Sequence, residues 1–310
     1  MVSYAEIGMQ KARRRKAMDL GLREFLGIPR NVRIYLDNGA FYFLSNGGRP
    51  DAGEYREFVR NAKPDWWPIR FDAIPTPQMS PQKQRACFET TMKMNRAYLH
   101  DGYVPVVHVG RFLNHYIEAV GKSKRLSAKP RIALGGLVPN LLRAPRAMPY
   151  EKVLENLQVI RETYAEKEIH VFGIGGTATL HLAGLLGFDS LDSSGWRNRA
   201  ARGIVQLPGC GDRMVANLGN WRGRQPSKEE WGRLAKCRCS ACNAFGWEGI
   251  RASGLAGFSH RATHNLWILL KEAEWIEERL KRGTYGRSYK RRLDNSTYLP
   301  MIEKLAKSLF

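Results

Sequence analysis

Cysteine is scarce in this chain, long apolar runs are missing, and acidic residues are heavily outnumbered. Only 5 of the 310 residues are cysteine, and in a chain without an export signal a disulfide framework is not expected. No uninterrupted apolar stretch reaches the ~18 residues that a membrane-spanning helix needs. The opening MVSYAEIGMQKARRRK is basic but has no apolar segment behind it, unlike a secretory leader. A cytoplasmic location with no membrane partner is therefore expected. Low-complexity segments are absent, and so is any internal repeat beyond an alternation of strands and helices. With 43% hydrophobic and 25% charged residues, the composition is that of a globular protein with a sizeable core, which excludes wholesale disorder.

What the chain does have is positive charge. Lys and Arg total 50 against 29 Asp and Glu, a formal net charge of +21. A surplus of this size attracts polyanions and steers their approach, with nucleic acid as the favoured partner. The cations cluster at residues 11–16, 122–131, 197–202 and 281–292. Tyr285 and Tyr289 lie inside the last cluster, where they are expected to pack against sugars or bases. A single basic run reads as a solvated face, and four together point further.

Short apolar runs predict strands over residues 32–36, 69–71, 104–109, 132–134, 169–172, 188–191 and 204–207. Between them lie amphipathic helices, such as 151–164 with Val153, Leu154, Leu157, Ile160 and Tyr164 at helical spacing. Strand, helix, strand is the pattern of a parallel sheet in an α/β fold. Asp37, Asp72, the Gly135-Gly136 pair, Gly173 and Asp192 all fall at or just past the C-terminal ends of successive strands. A (β/α)8 TIM barrel gathers such positions around one mouth, whereas an open sheet would leave several of them idle. The expected organisation is a barrel catalytic domain over 1–209, a small zinc-binding subdomain over 210–265, and C-terminal helices with a basic segment over 266–310. A long helix over 264–280 is expected to bury Leu266, Leu269, Leu270, Ala273 and Ile276.

Cys237, Cys239 and Cys242 form a C-x-C-x2-C run, which sets three thiolates on one tight loop as a tetrahedral metal requires. A fourth ligand comes from His260 or His264. Such a site would be closed and structural, and Zn2+ is the metal that suits it. Cys87 and Cys210 read as isolated buried residues. Among the carboxylates, Asp37 and Asp192 each follow an apolar strand. A lone Asp there reads first as a helix cap. A pair at one mouth is the equipment for glycosidic chemistry with retention. The run Phe172-Gly173-Ile174-Gly175-Gly176 departs from the dinucleotide fingerprint, and its glycines suit close approach of backbone to a flat ligand.

These stretches resemble the tRNA-guanine transglycosylase superfamily over most of the chain. The shared stretches, in order, are Asp37-Asn38-Gly39-Ala40-Phe41, Phe71-Asp72, Leu134-Gly135-Gly136-Leu137, Phe172-Gly173 and Gly187-Phe188-Asp189-Ser190-Leu191-Asp192, followed by the cysteine run and His264-Asn265. The resemblance implies a (β/α)8 barrel with a zinc subdomain, and a role for each matching position. Asp192 would be the nucleophile on C1′ of a guanosine unit, and Asp37 the general base for the incoming base. Asp72 would read the purine edge, Gly136 and Leu137 would face an exocyclic substituent, and Phe41 and Phe172 would sandwich the base. Gly173 belongs to the same base pocket, and His108 stands where the family often has Gln. The resemblance further implies Cys237, Cys239, Cys242 and His264 as zinc ligands and pairing into homodimers, although no residue pattern marks an interface.

One departure is informative. The tRNA enzymes carry Pro-Thr-Arg after the nucleophile, whereas here Asp192 is followed by Ser193-Ser194-Gly195-Trp196 and a basic tail. This looks more like the branch that exchanges guanine in DNA for a 7-deazaguanine such as preQ0. DNA is the expected polymer, with phosphate contacts from Arg197, Arg199, Arg202, Lys290, Arg291 and Arg292. Two other readings stand beside it: the same exchange on tRNA, and a non-catalytic zinc subunit that binds nucleic acid.

Overall fold

A computed structural model describes residues 1–309 apart from 210, 220 and 295. The chain divides into two units, Met1–Phe172 and Gly173–Phe310.

In the first unit the extended segments follow one another in chain order. Strand β1 (Val2–Ser3) runs parallel to β2 (Leu36–Asp37), with Val2 opposite Leu36 and Ser3 opposite Asp37. Tyr35 then bridges in parallel to Trp66, and Pro68 to Val104. Strand β3 (Val106–His108) pairs in parallel with β4 (Arg131–Gly135), and β4 with β5 (Glu168–Val171). All of β3, and residues 132–135 of β4, are buried. Near-continuous burial is what a parallel sheet covered on both faces produces.

The helices between these strands bury stripes that their sequences announce. Helix Ala52–Ala62 is capped by Asp51, which accepts from Gly53 N–H at 2.8 Å and Glu54 N–H at 3.0 Å, and it buries Tyr55, Phe58, Val59 and Ala62. Helix Pro81–Ala97 starts with a Ser80 cap and a proline in its first turn, where a missing N–H costs nothing. Helix Tyr150–Thr163 buries Val153, Leu154, Leu157 and Ile160, as the spacing predicts, and Tyr164 beyond it is also buried.

Three expectations need correction. Residues 69–71 are not a strand; the extended contacts lie just before, at Trp66 and Pro68. Trp66 and Trp67 offer their carbonyls to opposite neighbours, Leu36 N–H and Val104 N–H, each at 2.8 Å. Pro68 has no N–H to carry the ladder onward. The segment 204–207 is a strand, β7 (Ile204–Leu207), but its partner is the antiparallel β8 (Gly211–Met214). Only residues 208–210 separate the two, and a parallel return needs a crossover of a dozen or more.

The third correction concerns the long helix of the second unit, which spans Gly254–Lys281. Leu269 and Ile276 are buried, but Leu266, Leu270 and Ala273 are exposed. The inward face carries Arg261, His264, Asn265 and Glu272 instead. Each of these has waiting partners. Arg261 donates to the carbonyls of Ala200, Ile250 and Ala252. Asn265 accepts from Gln206 N–H at 2.7 Å and donates to Trp196 and Ile204 carbonyls. Buried polar groups so matched outweigh leucines, which lose little by facing water singly. No helix among the described residues is long and apolar enough to cross a membrane.

Candidate active site and metal centre

At the end of β2, Asp37 is half-buried and accepts hydrogen bonds from Ser3 Oγ at 2.9 Å and Gly39 N–H at 3.1 Å. Parallel pairing with β1 brings Ser3 into register with it. The next residue, Asn38, is buried; its amide donates to Ile69 carbonyl at 2.8 Å and to Asp72 Oδ1 at 2.7 Å, while its oxygen accepts from Ala40 N–H at 2.8 Å. Asn38 thus ties the end of β2 to Asp72. Sequence reasoning passed over both Ser3 and Asn38. The stretch Asp37-Asn38-Gly39 could have marked Asn38, whereas a two-residue strand at the N-terminus leaves no periodic signal.

Asp72 is buried, and its Oδ2 lies 3.3 Å from His108 Nε2 at the end of β3, without hydrogen-bond geometry. The imidazole fits because Gly135, opposite it in register, has no side chain. A Cβ there would come within 2.6 Å of His108 Nδ1. Gly136 has φ +77°, and a Cβ there would press on Val109 carbonyl at 2.8 Å. Leu137 is fully buried, and its carbonyl is taken by Asn140 and Leu141 N–H groups. Asp72, His108 and the Gly135-Gly136 turn therefore meet within the first unit.

The aromatic candidates stand differently. Phe41 is exposed, on the short helix Ala40–Asn46 with Tyr42 and Leu44 exposed beside it. Phe172 is half-buried and meets His170 edge-on at 4.8 Å, and His170 in turn stacks on Tyr35 at 4.3 Å. The composition-level reading missed Tyr35 and His170.

In the second unit, Asp192 follows the short strand β6 (Ser190–Leu191) and accepts from Gly173 N–H through Oδ1 at 2.9 Å. Gly173 has φ +76°, a conformation that glycine reaches without strain. Gly175 N–H bonds the Asp192 carbonyl at 3.1 Å, so the glycine-rich turn holds this aspartate by backbone and side chain together. The turn is itself organised by Thr179, which accepts from Gly176 N–H and donates to the Ile174 carbonyl.

Cys237, Cys239, Cys242 and His264 offer ligand atoms that all lie within 4.8 Å of one another. Sulfur-to-Nδ1 distances to His264 are 3.5, 3.9 and 3.4 Å in that order. His264 Nε2 bonds Gln206 carbonyl at 3.0 Å, which assigns the proton to Nε2 and leaves the Nδ1 lone pair facing the sulfurs. The four donors fit one closed tetrahedral metal ion. His260 is not the fourth ligand, since it stacks on Phe245 at 4.1 Å and bonds Gly249 carbonyl at 3.1 Å. Cys87 is half-buried rather than buried, with burial pushing its thiol pKa up. Cys210 lies outside the described residues.

The basic candidates separate by what holds them. Arg199 pairs with Asp212 at 2.6 Å, Lys290 with Glu303 at 2.8 Å, and Arg202 lies 4.0 Å over the Trp221 ring. Arg197 and Arg291 are exposed. Arg292 grips the buried Glu272 with two bonds of 3.0 and 2.8 Å. Glu272 also accepts from His181 Nε2 at 2.9 Å, and His181 Nδ1 faces Tyr285 hydroxyl at 2.7 Å. Burial holds the His181 pKa down, consistent with a neutral ring that donates on one side and accepts on the other. Tyr285 and Tyr289 are buried and stacked face to face at 5.4 Å. Those two tyrosines are core residues and not a surface for sugars or bases. In the first unit, the 122–131 cluster is largely engaged: Lys122 with Glu118, Arg125 with His100, Lys129 with Asp101 carbonyl, Arg131 with Glu168.

A curated relative, tRNA-guanine(15) transglycosylase from Pyrococcus abyssi (strain GE5 / Orsay), is 24% identical over 318 residues. The match takes in 95% of this chain and 50% of that protein, so the chain spans about half the length of the curated relative it matches. A family model described as queuine tRNA-ribosyltransferase (TGT) matches residues 7–297, nearly the whole chain. The aspartates at the strand ends, the paired glycines after β4 and the Cys3His cluster fall inside that match, and the protein belongs to the queuine tRNA-ribosyltransferase (TGT) family.

Proposed function

We propose that this protein exchanges guanine in a nucleic acid for a 7-deazaguanine through a covalent aspartyl–sugar intermediate. Asp192 attacks C1′, the bond from C1′ to guanine N9 breaks, and guanine leaves with its electron pair and takes up a proton. The incoming base then loses its N9 proton to Asp37 and attacks C1′, releasing Asp192. Two inversions retain the configuration, and the ester-like intermediate keeps the bond energy, so no nucleotide hydrolysis is needed. Asp72 and His108 read the purine edge, Gly136 and Leu137 face its substituent, Gly173 lines the same pocket, and Phe41 and Phe172 stack on the ring. Zn2+ held by Cys237, Cys239, Cys242 and His264 would supply folding energy to its surroundings and take no part in the exchange.

The observation that carries the reading is the polar set past consecutive parallel strands. Asp37, His108 and Gly135 each close a parallel strand, Asp72 follows the bridged segment 66–68, and the order never reverses along the first unit. Sequential order without a switch point supports the (β/α)8 barrel over a doubly wound sheet. For the polymer we favour DNA, on the Ser193–Gly203 stretch and its cations. The relative's name favours tRNA as the second reading. A homodimer and a cytoplasmic location accompany either.

The test is incubation of the protein with labelled preQ0 and either duplex DNA or tRNA, followed by nucleoside mass spectrometry. Label in DNA is expected, and label confined to tRNA overturns the polymer assignment. Asp192→Asn should lower exchange on the order of a thousand-fold or more while leaving nucleic-acid binding intact. Exchange that persists in that variant removes Asp192 as nucleophile.

A further inference from the structure

A cleft of about 1100 Å³ opens in the second unit, between the loop after β8 and helices Lys228–Ala235 and Ser240–Arg251. Trp221, Arg222, Trp231, Gly232, Trp247 and Arg251 line it, and none of the candidate catalytic or metal-binding residues does. We infer that this cleft holds an unpaired stretch of nucleic-acid strand, with bases stacked on Trp221 and Trp247 and phosphates facing Arg222 and Arg251. The inference rests on the nucleic-acid reading above but concerns a place that the exchange chemistry does not use.

Three features argue for that occupant. No carboxylate is found among the described residues lining the cleft, so its charge complements a polyanion. Trp221 and Trp247 are 50% and 45% exposed, so each keeps ring surface open to a ligand beside the arginine that flanks it. Arginine and tryptophan are interleaved: Arg202 lies 4.0 Å over Trp221, and Arg251 lies 5.1 Å from Trp247 and 5.9 Å from Trp231. A cationic groove with aromatic platforms is how proteins track single strands, because every base offers a π-face whatever its sequence. A duplex keeps those faces covered.

The floor of the cleft is fixed. Trp231 packs on the core of Val205, Leu207, Val215, Leu234 and Ile250, against which Cys242 also packs. Trp247 meets Trp231 edge-on at 6.1 Å. Gly232 faces open space, since a Cβ built there meets nothing within 4 Å. A larger side chain at 232 therefore obstructs the cleft without disturbing the packing beneath it, and in a helix it replaces the least favourable residue after proline.

The experiment titrates the full, metal-loaded chain into a fluorescein-labelled oligothymidylate of about twelve nucleotides. Trp247→Ala and Gly232→Leu are each expected to weaken binding about ten-fold or more, with Gly232→Leu unfolding at or above the wild-type temperature. Arg251→Gln should make the slope of log K against log salt shallower by about 0.7. Wild-type affinity in both Trp247→Ala and Gly232→Leu overturns the inference. So does a dimer that Gly232→Leu dissociates while oligothymidylate binding is unchanged, which assigns the cleft to a second copy of the chain. Base exchange is measured in parallel. Exchange by the wild type with unaltered binding in both variants removes the cleft and keeps the proposed function. Weakened binding in the variants with no exchange by the wild type removes the function and keeps the cleft.

Discussion

Asn38 spends its whole amide on fixed partners, donating to Asp72 and Ile69 and accepting from Ala40. Removing it strands a buried carboxylate oxygen and a buried carbonyl. Asn38→Ala should cost about 1–3 kcal/mol of stability, read by urea denaturation. Base exchange should fall further than the lost stability explains, because Asp72 loses its orientation. An unchanged KM for the incoming base in the folded variant would count against Asn38 as a positioning residue. At this scale the placing of Asp37 and Asp192 at or just past short strands is legible in the sequence, because each follows an apolar run. Ser3 and Asn38 are not, since their significance lies in which strand pairs with which.

The hairpin β7–β8 and its helices carry two expectations at the scale of elements. Arg213 in β8 holds Glu230 with bonds of 2.9 and 2.6 Å, and Glu230 closes a capping box with Ser227 at the start of helix Lys228–Ala235. The hydrogen bonds from Arg213 foremost pull the Glu230 carboxyl down to about 2 from its ordinary 4.5. A carboxylate lowered in the folded state stabilises above its unfolded value and loses that contribution as pH falls toward the folded one. Glu230→Gln should therefore cost on the order of 3 kcal/mol at pH 7. The gap to wild type should close as pH drops from about 5 toward 2, and a gap that ignores pH would refute the account. Removing the metal should speed amide exchange in β7 and helix Ser240–Arg251, which the Cys3His cluster and its bond to Gln206 hold together. Strands β3, β4 and β5 should keep their protection; equal loss in both units would argue against a local structural role. Strands and helices read well where one period ruled, as in Tyr150–Thr163. The long helix misled because its buried face mixes polar residues with apolar ones, and partners such as Gln206 and Ala200 cannot be seen in its own spacing.

Over the whole molecule, a net charge of +21 does not mean that every cation meets a phosphate. Exposed pairs such as Lys290–Glu303 are weak and can be traded for nucleic acid. Arg292 is committed to the buried Glu272. Substituting the exposed Arg197 or Arg291 should each shift the slope of log K against log salt on duplex DNA by about 0.9 per lost phosphate contact. Arg292→Gln should leave that slope alone and lower the melting temperature instead. A slope that tracks Arg292 as well would reverse this division of labour.

Gly135 has an ordinary backbone conformation, and alanine there is blocked only by the neighbouring imidazole at 2.6 Å. The two positions are thus coupled: a methyl group at 135 forces the side chain at 108 to shrink or swing, and its approach to Asp72 changes with it. Under the proposed function, Gly135→Ala should therefore alter base preference by way of the imidazole it displaces.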